Sequence, residues 1–216
     1  MRKVTRPAIP ESLLQNADRW QQELTDALEA QEQDHSLIRK CQNRYRQDDI
    51  REALEEMYGG LCCYCESKTG IADFSHIEHR KPKNKYPKLT FDWDNLHLAC
   101  PVCNRSKGTK WDDCYPILDS SQDKIPEHLS YRIGGGGAKR WPESCRGKTT
   151  IDHAKLNRQK LVDARTEIAH GVLCARKAIR NGDPSMPAVR FIQTELETKG
   201  AGEYGSLVSW LLDANL

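Results

Sequence analysis

The chain has 216 residues, of which 38% are hydrophobic and 30% are charged, enough for one compact domain or one small domain with added segments. It has no run of about 18 apolar residues, which excludes a membrane-spanning helix, and its charged start lacks the apolar stretch of a signal peptide. The formal net charge of +2 by itself indicates little about partners. The nine cysteines, an odd number, argue against a disulfide framework, so we expect a reduced protein in the cytoplasm.

Apolar periodicity predicts two helices in the first third of the chain. The first has one apolar stripe that fits a single helix face, with Pro10 as a start signal. The second is expected over residues 49–58, where two glycines supply the stop signal. The stripe of the first helix consists of Leu13, Ala17, Trp20, Leu24 and Ala27.

The composition changes after the second helix. Cysteine, histidine, proline and lysine crowd together from residue 61, and helical periodicity is lost until Cys100, where a turn is expected to enter a short helix. Three prolines and a run of four glycines predict a loop region next. Helices are expected again after Ile151, with Asp152 as a cap, and over residues 187–199 and 203–213. The predicted segments are an N-terminal helical segment 1–58, a central segment 59–116, a loop region 117–150 and a C-terminal helical segment 151–216.

Four of the cysteines form two C-x-x-C pairs, 34 residues apart, in the central segment. Each pair can place two thiolates on one side of a tight loop, and two such pairs supply the four sulfurs of a tetrahedral zinc. Buried free cysteines and a redox dithiol are the alternatives, but a single pair would suffice for redox chemistry. We therefore predict one structural Zn²⁺ on Cys62, Cys65, Cys100 and Cys103, and Cys63 as a packed residue.

Positive charge is concentrated in the same segment. Residues 79–110 contain eight Lys and Arg against two Asp, a local charge of +6. A basic strip of this kind suits the phosphate backbone of nucleic acid, although a solvated charge run is the ordinary alternative. The candidate nucleic-acid contacts are Lys81, Lys83, Lys85, Arg105, Lys107 and Lys110.

The order of motifs between and around the cysteine pairs is also informative. The chain reads HIEHRKP at residues 76–82, DNL at 94–96 and CNRSKG at 103–108. This order resembles the HNH endonucleases, whose fold is a small ββα-metal core often framed by two zinc knuckles. The resemblance covers residues 60–110, a quarter of the chain, and departs from the family pattern at Glu78, where Asp is usual. It implies an α+β fold in which the HNH core is embedded in flanking helices.

The resemblance also assigns chemical roles. It implies that His79 is the general base that activates water and that Asn95 orients its ring. It implies that Glu78 and Asn104 bind a divalent cation, Mg²⁺ above all, through oxygen atoms. His76 shares a strand face with Glu78 and is an auxiliary candidate. His97 is expected to be structural.

Flanking segments extend the resemblance to one group of HNH proteins. EMYGGLCCYCE at residues 56–66 and TIDHAKLNRQKLVDAR at 150–165 are similar to the PtuB-type proteins of Septu and retron anti-phage systems. Such proteins act beside an ABC-type ATPase, PtuA, so the resemblance implies such a partner and a metal-dependent nuclease, with DNA favoured over RNA such as tRNA as substrate. Two alternatives stay open: a zinc-knuckle nucleic-acid-binding module without activity, and an ATPase-docking subunit that is silent alone.

Overall fold

A computed structural model describes residues 1–69, 75–182, 187, 190 and 202–213. The chain divides into two compact units. The N-terminal unit consists of Val4–Cys63 and Thr69–Trp111, and the C-terminal unit consists of Met1–Lys3, Tyr64–Lys68 and Asp112–Leu216. No helix within the described residues combines the length and the apolar composition that crossing a membrane requires.

The N-terminal unit begins with three helices, α1 (Glu11–Glu29), α2 (His35–Gln42) and α3 (Asp48–Tyr58). Helix α1 buries most of its predicted stripe, and α3 ends as expected at Gly59, which has a left-handed φ of 61°. Helix α2 was not predicted from the sequence, since its eight residues offer only two buried positions. Its start is fixed by the Asp34 carboxylate, which accepts hydrogen bonds from two backbone amides of the first turn.

The HNH-like ββα arrangement completes this unit. Strand β1 (His76–His79) pairs antiparallel with β2 (Leu96–Ala99), and helix α4 (Pro101–Lys107) follows at once. Helix α3 packs on β2 and α4 packs on β1, so the small sheet lies between helices. This arrangement confirms the predicted α+β fold with a small core among flanking helices.

The C-terminal unit contains a second hairpin, β3 (Leu129–Gly134) and β4 (Gly137–Pro142). The prediction of a loop over residues 117–150 was wrong here: two of the four glycines form the turn and the other two end the strands. Gly137 has a φ of 84°, and a Cβ at this position would lie 2.6 Å from Val162 Cγ1. Glycine is therefore required at Gly137 by the close approach of the helix beside it.

In the described part of this unit, three helices accompany the hairpin: α5 (Cys145–Ala154), α6 (Gln159–Arg180) and α7 (Gly205–Asp213). Helix α5 starts earlier than expected, because Ser144 and not Asp152 caps it by accepting from the Gly147 amide. Helices α5 and α6 pack on β4, and α7 packs on α6. The helix predicted over residues 187–199 lies outside the described residues, apart from two isolated positions.

The apolar stripe of the last helix is buried inside its own unit. Four side chains form it, counting Tyr204 immediately before the helix, and all four are buried. Their burial contributes to the core of the C-terminal unit. These side chains are Tyr204, Leu207, Val208 and Leu211.

Candidate active site and metal centre

The two C-x-x-C pairs converge. The Sγ atoms of Cys62, Cys65, Cys100 and Cys103 all lie within 4.8 Å of one another. A tetrahedral zinc with Zn–S bonds of about 2.3 Å needs sulfurs roughly 3.8 Å apart, so the four residues fit this ion. The Cys103 amide also donates to Cys100 Sγ at 3.4 Å, so the thiolate of Cys100 caps α4. Cys63 is buried and its amide donates to Leu98 O, consistent with the packing role predicted for it.

Strand β1 directs its side chains alternately. His76 and Glu78 share one face, and the Asn104 amide nitrogen hydrogen-bonds His76 Nδ1 at 2.8 Å. Because the amide nitrogen of Asn104 makes this contact, the amide oxygen is the atom of this side chain that can bind a cation. The carboxylate of Glu78 and the amide oxygen of Asn104 are the hard donors that Mg²⁺ prefers, so these residues fit a divalent cation that keeps several waters.

Lys107 corrects one prediction from the sequence. Its side chain is only 1% exposed, so it is not a surface contact for phosphate. Its Nζ lies 2.5 Å from Glu78 Oε1 and donates to the His79 carbonyl at 2.7 Å. Lys107 therefore joins α4 to β1 and neutralises the buried carboxylate at the point where a cation is expected.

His79 is held as a neutral base. The residue is 6% exposed, and its Nε2 lies 2.9 Å from the Thr90 carbonyl oxygen. Because a carbonyl oxygen can only accept a hydrogen bond, Nε2 carries the hydrogen and donates it. Burial lowers the pKa of His79 to about 3, opposed by the Thr90 hydrogen bond and assisted by nearby lysine charges. With Nε2 protonated, the lone pair of the neutral ring resides on Nδ1, which is the nitrogen able to take a proton from water.

Asn95 does not act as expected. Its Oδ1 accepts from the Lys81 amide at 2.7 Å, and its Nδ2 donates to the carbonyls of Lys81 and Leu89 at 3.0 Å each. The Thr90 carbonyl, and not the Asn95 side chain, holds the His79 ring. Asn95 instead ties together two backbone segments, one of which leads directly into Thr90, so its effect on the ring is indirect.

Tyr45 is a site residue that the sequence motifs did not indicate. It lies between α2 and α3, outside the HNH-like segment, and is buried. Its ring meets the His79 imidazole edge-on, with centroids 4.6 Å apart and an interplanar angle of 85°. A large aromatic residue between two predicted helices could have suggested a role at the site, but residues of this kind are more often ordinary core residues.

The candidate base and cation ligands open onto one cavity of about 240 Å³. Its walls come from β1, from the following loop, from the end of α4 and from the α2–α3 turn. The cavity therefore places a base beside two oxygen donors, an arrangement suited to activating water against a phosphate. The lining residues are Tyr45, Arg46, Ile77, Glu78, His79, Pro82, Lys83, Asn84, Asn104, Gly108 and Thr109.

Comparison with known proteins agrees with this geometry. Residues 62–110 match the model of the HNH endonuclease family. This segment is an HNH domain. It contains the four clustered cysteines, both strands, helix α4 and the candidate base.

Curated relatives extend the similarity beyond the HNH domain. The Septu protein PtuB of Bacillus thuringiensis is 34% identical over 112 residues, 50% of this chain and 41% of the relative. The Septu protein PtuB of Bacillus mycoides (strain KBAB4) is 25% identical over 169 residues, 64% of this chain and 57% of the relative. A retron Vc95 protein of Vibrio cholerae, named for the HNH endonucleases, is 32% identical over 122 residues, 52% of this chain and 59% of the relative. The chain thus spans about half the length of the curated relatives it matches, and over that stretch it is similar to the PtuB type.

The remaining basic candidates of the HNH domain differ in exposure. Lys85, Arg105 and Lys110 are exposed, as a phosphate contact requires. Lys81 is half-buried, with its Nζ over the rings of two aromatic residues, and Lys83 is half-buried and bonded to the backbone of Gln42 at 3.2 Å. The sequence prediction of a uniform basic strip therefore holds for only part of the segment.

His97 has the structural role expected of it. It is a buried residue of β2, and its Nδ1 is 2.6 Å from the hydroxyl of Tyr58, the last residue of α3. Glu78 lies opposite it in the strand register. His97 is not among the residues that line the cavity of His79.

Proposed function

We propose that this chain is a metal-dependent endonuclease that hydrolyses phosphodiester bonds of nucleic acid, with DNA favoured over RNA such as tRNA. The observation that carries the proposal is the cavity shared by His79, Glu78 and Asn104. The match to the HNH endonuclease family over residues 62–110 supports it. A module that only binds nucleic acid has no need of a buried neutral histidine beside two oxygen donors.

His79 acts as general base in this proposal. Its Nε2–H is fixed on the Thr90 carbonyl, and Tyr45 holds the ring edge, so Nδ1 can accept the proton of an attacking water without reorienting. The buried position excludes most competing water from the ring. The negative phosphate of a bound substrate favours the protonated ring after this transfer, because it opposes the lysine charges that depress the pKa of His79.

Two metals are proposed with different roles. Glu78 and Asn104, with His76 beside them, hold a divalent cation, most simply Mg²⁺, which supplies charge stabilisation at the phosphate and the leaving oxygen. Lys107 keeps the Glu78 carboxylate oriented when no cation is bound. The four cysteines hold a structural Zn²⁺, whose four protein ligands leave no open position for catalysis.

A cleavage assay tests the proposal. Purified protein is incubated with plasmid DNA and with total RNA, with and without added Mg²⁺, and a chelated sample is then given excess Mg²⁺. We expect cleavage that depends on Mg²⁺ and that falls about 10²–10⁴-fold in His79→Ala, as removal of a general base typically causes. His79→Gln repeats the test with less loss of packing volume, and His170→Ala, at an exposed position of α6, is the matched control. Cleavage by both His79 variants at the wild-type rate would show that His79 is not the base.

We also propose a partner. The relatives named PtuB belong to Septu, and the similarity to them favours an anti-phage defence complex in which this chain is the nuclease subunit beside an ABC-type, PtuA-like ATPase. Co-purification of the tagged chain from its native host, followed by mass spectrometry, tests this assignment. Recovery of an ATPase of that class supports the proposal, and its consistent absence at full recovery of the chain contradicts it.

A further inference from the structure

The turn between α2 and α3 is fixed against the HNH domain although it precedes that domain in the sequence. Lys83 Nζ hydrogen-bonds the Gln42 carbonyl at 3.2 Å, Asn43 Oδ1 at 3.4 Å and the Tyr45 hydroxyl at 3.5 Å. The Tyr45 ring is buried against His79. These contacts hold the turn at the mouth of the site, so the residue that follows Tyr45 has a defined position.

That residue is Arg46, whose side chain is exposed. It lines the cavity of about 240 Å³ that contains Glu78 and His79, and also a neighbouring cavity of about 330 Å³. Within the described parts of the chain its guanidinium has no carboxylate partner, and its ring contact is with Tyr45, 5.9 Å from the centroid. An arginine without a neutralising partner, at the rim between two cavities, is free to bind an anion.

The neighbouring cavity is cationic. A second arginine, Arg51 of α3, lines it and is held in place by a hydrogen bond from its guanidinium to the Ser75 carbonyl at 2.8 Å. Among the described residues, none of those that line it is acidic, so the described part of the wall carries the charge of the two arginines. These residues are Tyr45, Arg46, Arg51, Ser75, His76, Ile77 and Asn104. His76 and Asn104 lie next to the proposed cation, so an anion here would sit beside the reacting phosphate.

We propose that Arg46, with the cavity it shares with Arg51, is a phosphate subsite that binds the backbone phosphate adjacent to the scissile one. This inference rests on the proposed function, and it places a substrate contact outside the segment that matches the HNH family. The guanidinium fork suits a phosphate, which it can bind through two parallel hydrogen bonds. The N-terminal helices thereby form part of the substrate-binding surface and not only a packing layer.

Direct binding tests the subsite separately from cleavage. A short fluorescently labelled oligonucleotide, as duplex DNA and as single-stranded RNA, is titrated with protein in the His79→Gln background at several salt concentrations. Arg46→Ala is expected to weaken binding of the preferred oligonucleotide about tenfold, as for a lost hydrogen bond to a charged group. It is also expected to lower the slope of log affinity against log salt by about 1, since one phosphate contact is lost.

Two further variants sharpen the result. Arg46→Lys retains the charge but not the fork, so the salt slope should be kept while only part of the affinity returns. Arg39→Ala removes an equally exposed arginine from α2 and should leave affinity and slope unchanged. Unchanged binding in Arg46→Ala, or an equal loss in Arg39→Ala, overturns the inference.

The outcomes separate the two proposals. An Arg46 effect on binding in a protein whose wild type cuts neither DNA nor RNA supports a phosphate contact at Arg46 and removes the nuclease assignment for the isolated chain. Cleavage that depends on His79 but not on Arg46, with unchanged binding, removes the subsite alone. Absence of binding to either oligonucleotide removes both.

Discussion

The His79 imidazole exchanges water for protein contacts when the chain folds. It is enclosed by the Tyr45 ring and the Thr90 carbonyl, and the positive charges of Lys83 and Lys107 add to the effect of burial. The pKa falls from its ordinary value of 6.5 to about 3, so the folded protein keeps this ring neutral where an unfolded chain would protonate it. The same environment that prepares a base for water therefore makes folding sensitive to acid.

The direction of that sensitivity follows from proton linkage. Between about pH 6.5 and pH 3 the unfolded state binds one proton more at His79, so the free energy of unfolding decreases as pH falls through this window. The contribution of one such proton is about 1.4 kcal/mol per pH unit. Urea unfolding at a series of pH values should show a shallower acid loss in His79→Phe than in the wild type, and an unaltered slope in His170→Ala. Identical slopes in the wild type and His79→Phe would mean that this ring is not held neutral.

Among the elements, helix α4 depends most on its surroundings. It has only seven residues, and isolated helices shorter than about 12 residues are marginal in water. Its first turn is capped by Cys100 Sγ, and its last residue, Lys107, is bonded to β1. The sulfur cluster therefore fixes the start of the helix that carries Asn104 into the cavity.

Zinc removal should consequently affect this element first. We expect one zinc ion per chain in the wild type. Cys100→Ser should lose this zinc and have a much lower melting temperature, because structural zinc contributes apparent free energies of about 10–16 kcal/mol in small finger peptides. Cys114→Ser, at an exposed cysteine outside the cluster, should keep both metal and stability. Elemental analysis and thermal melts check the pair. Wild-type protein purified without chelator but free of zinc, or full zinc content in Cys100→Ser, would contradict the assignment.

At the scale of the whole molecule, each unit has its own buried core. In the C-terminal unit the core is completed by α7, and the buried Glu66 carboxylate links this helix to the hairpin. It accepts from the Ser206 amide at 2.9 Å and lies 2.7 Å from the Arg140 guanidinium. A buried carboxylate with these partners has its pKa lowered to about 2, chiefly by nearby positive charge, against the opposing effect of burial. The last helix is thus part of the structural core and not an appendage.

Truncating one side chain of α7 tests this role without deleting the helix. Leu207 is fully buried, so Leu207→Ala should lower the free energy of unfolding of the C-terminal unit by about 2–5 kcal/mol, through lost burial and the cavity left behind. Ser209→Ala, at an exposed position of the same helix, should change it little. Amide hydrogen exchange, measured on peptides from α6 and β4, reports the stability of the C-terminal unit directly. Equal protection in the two variants would show that α7 is not needed for this core.

The sequence alone determined the features whose partners are close along the chain or spaced by a fixed pattern. The stripe of α1, the glycine that ends α3 and the C-x-x-C pairs are of this kind, because helical periodicity and ligand spacing are local constraints. The order of motifs in the HNH domain likewise indicated His79, Glu78 and Asn104, and the structure brings all three to one cavity. The β3–β4 hairpin was not predicted, because its glycines suggested a flexible loop. In the structure one of them, Gly137, is required by close packing against Val162.

Only the tertiary structure decided what the other side chains near the site do. Lys107 looked like a phosphate contact in a basic run, but it is turned inward, where its charge is balanced by Glu78 of another element. Asn95 binds backbone carbonyls and not the His79 ring, and Tyr45 and Arg46 reach the site from a turn that precedes the HNH domain. The role of a charged or aromatic side chain depends on the residues that it contacts in the folded protein. Contacts between residues that are distant in the sequence leave no periodic pattern from which they could be predicted.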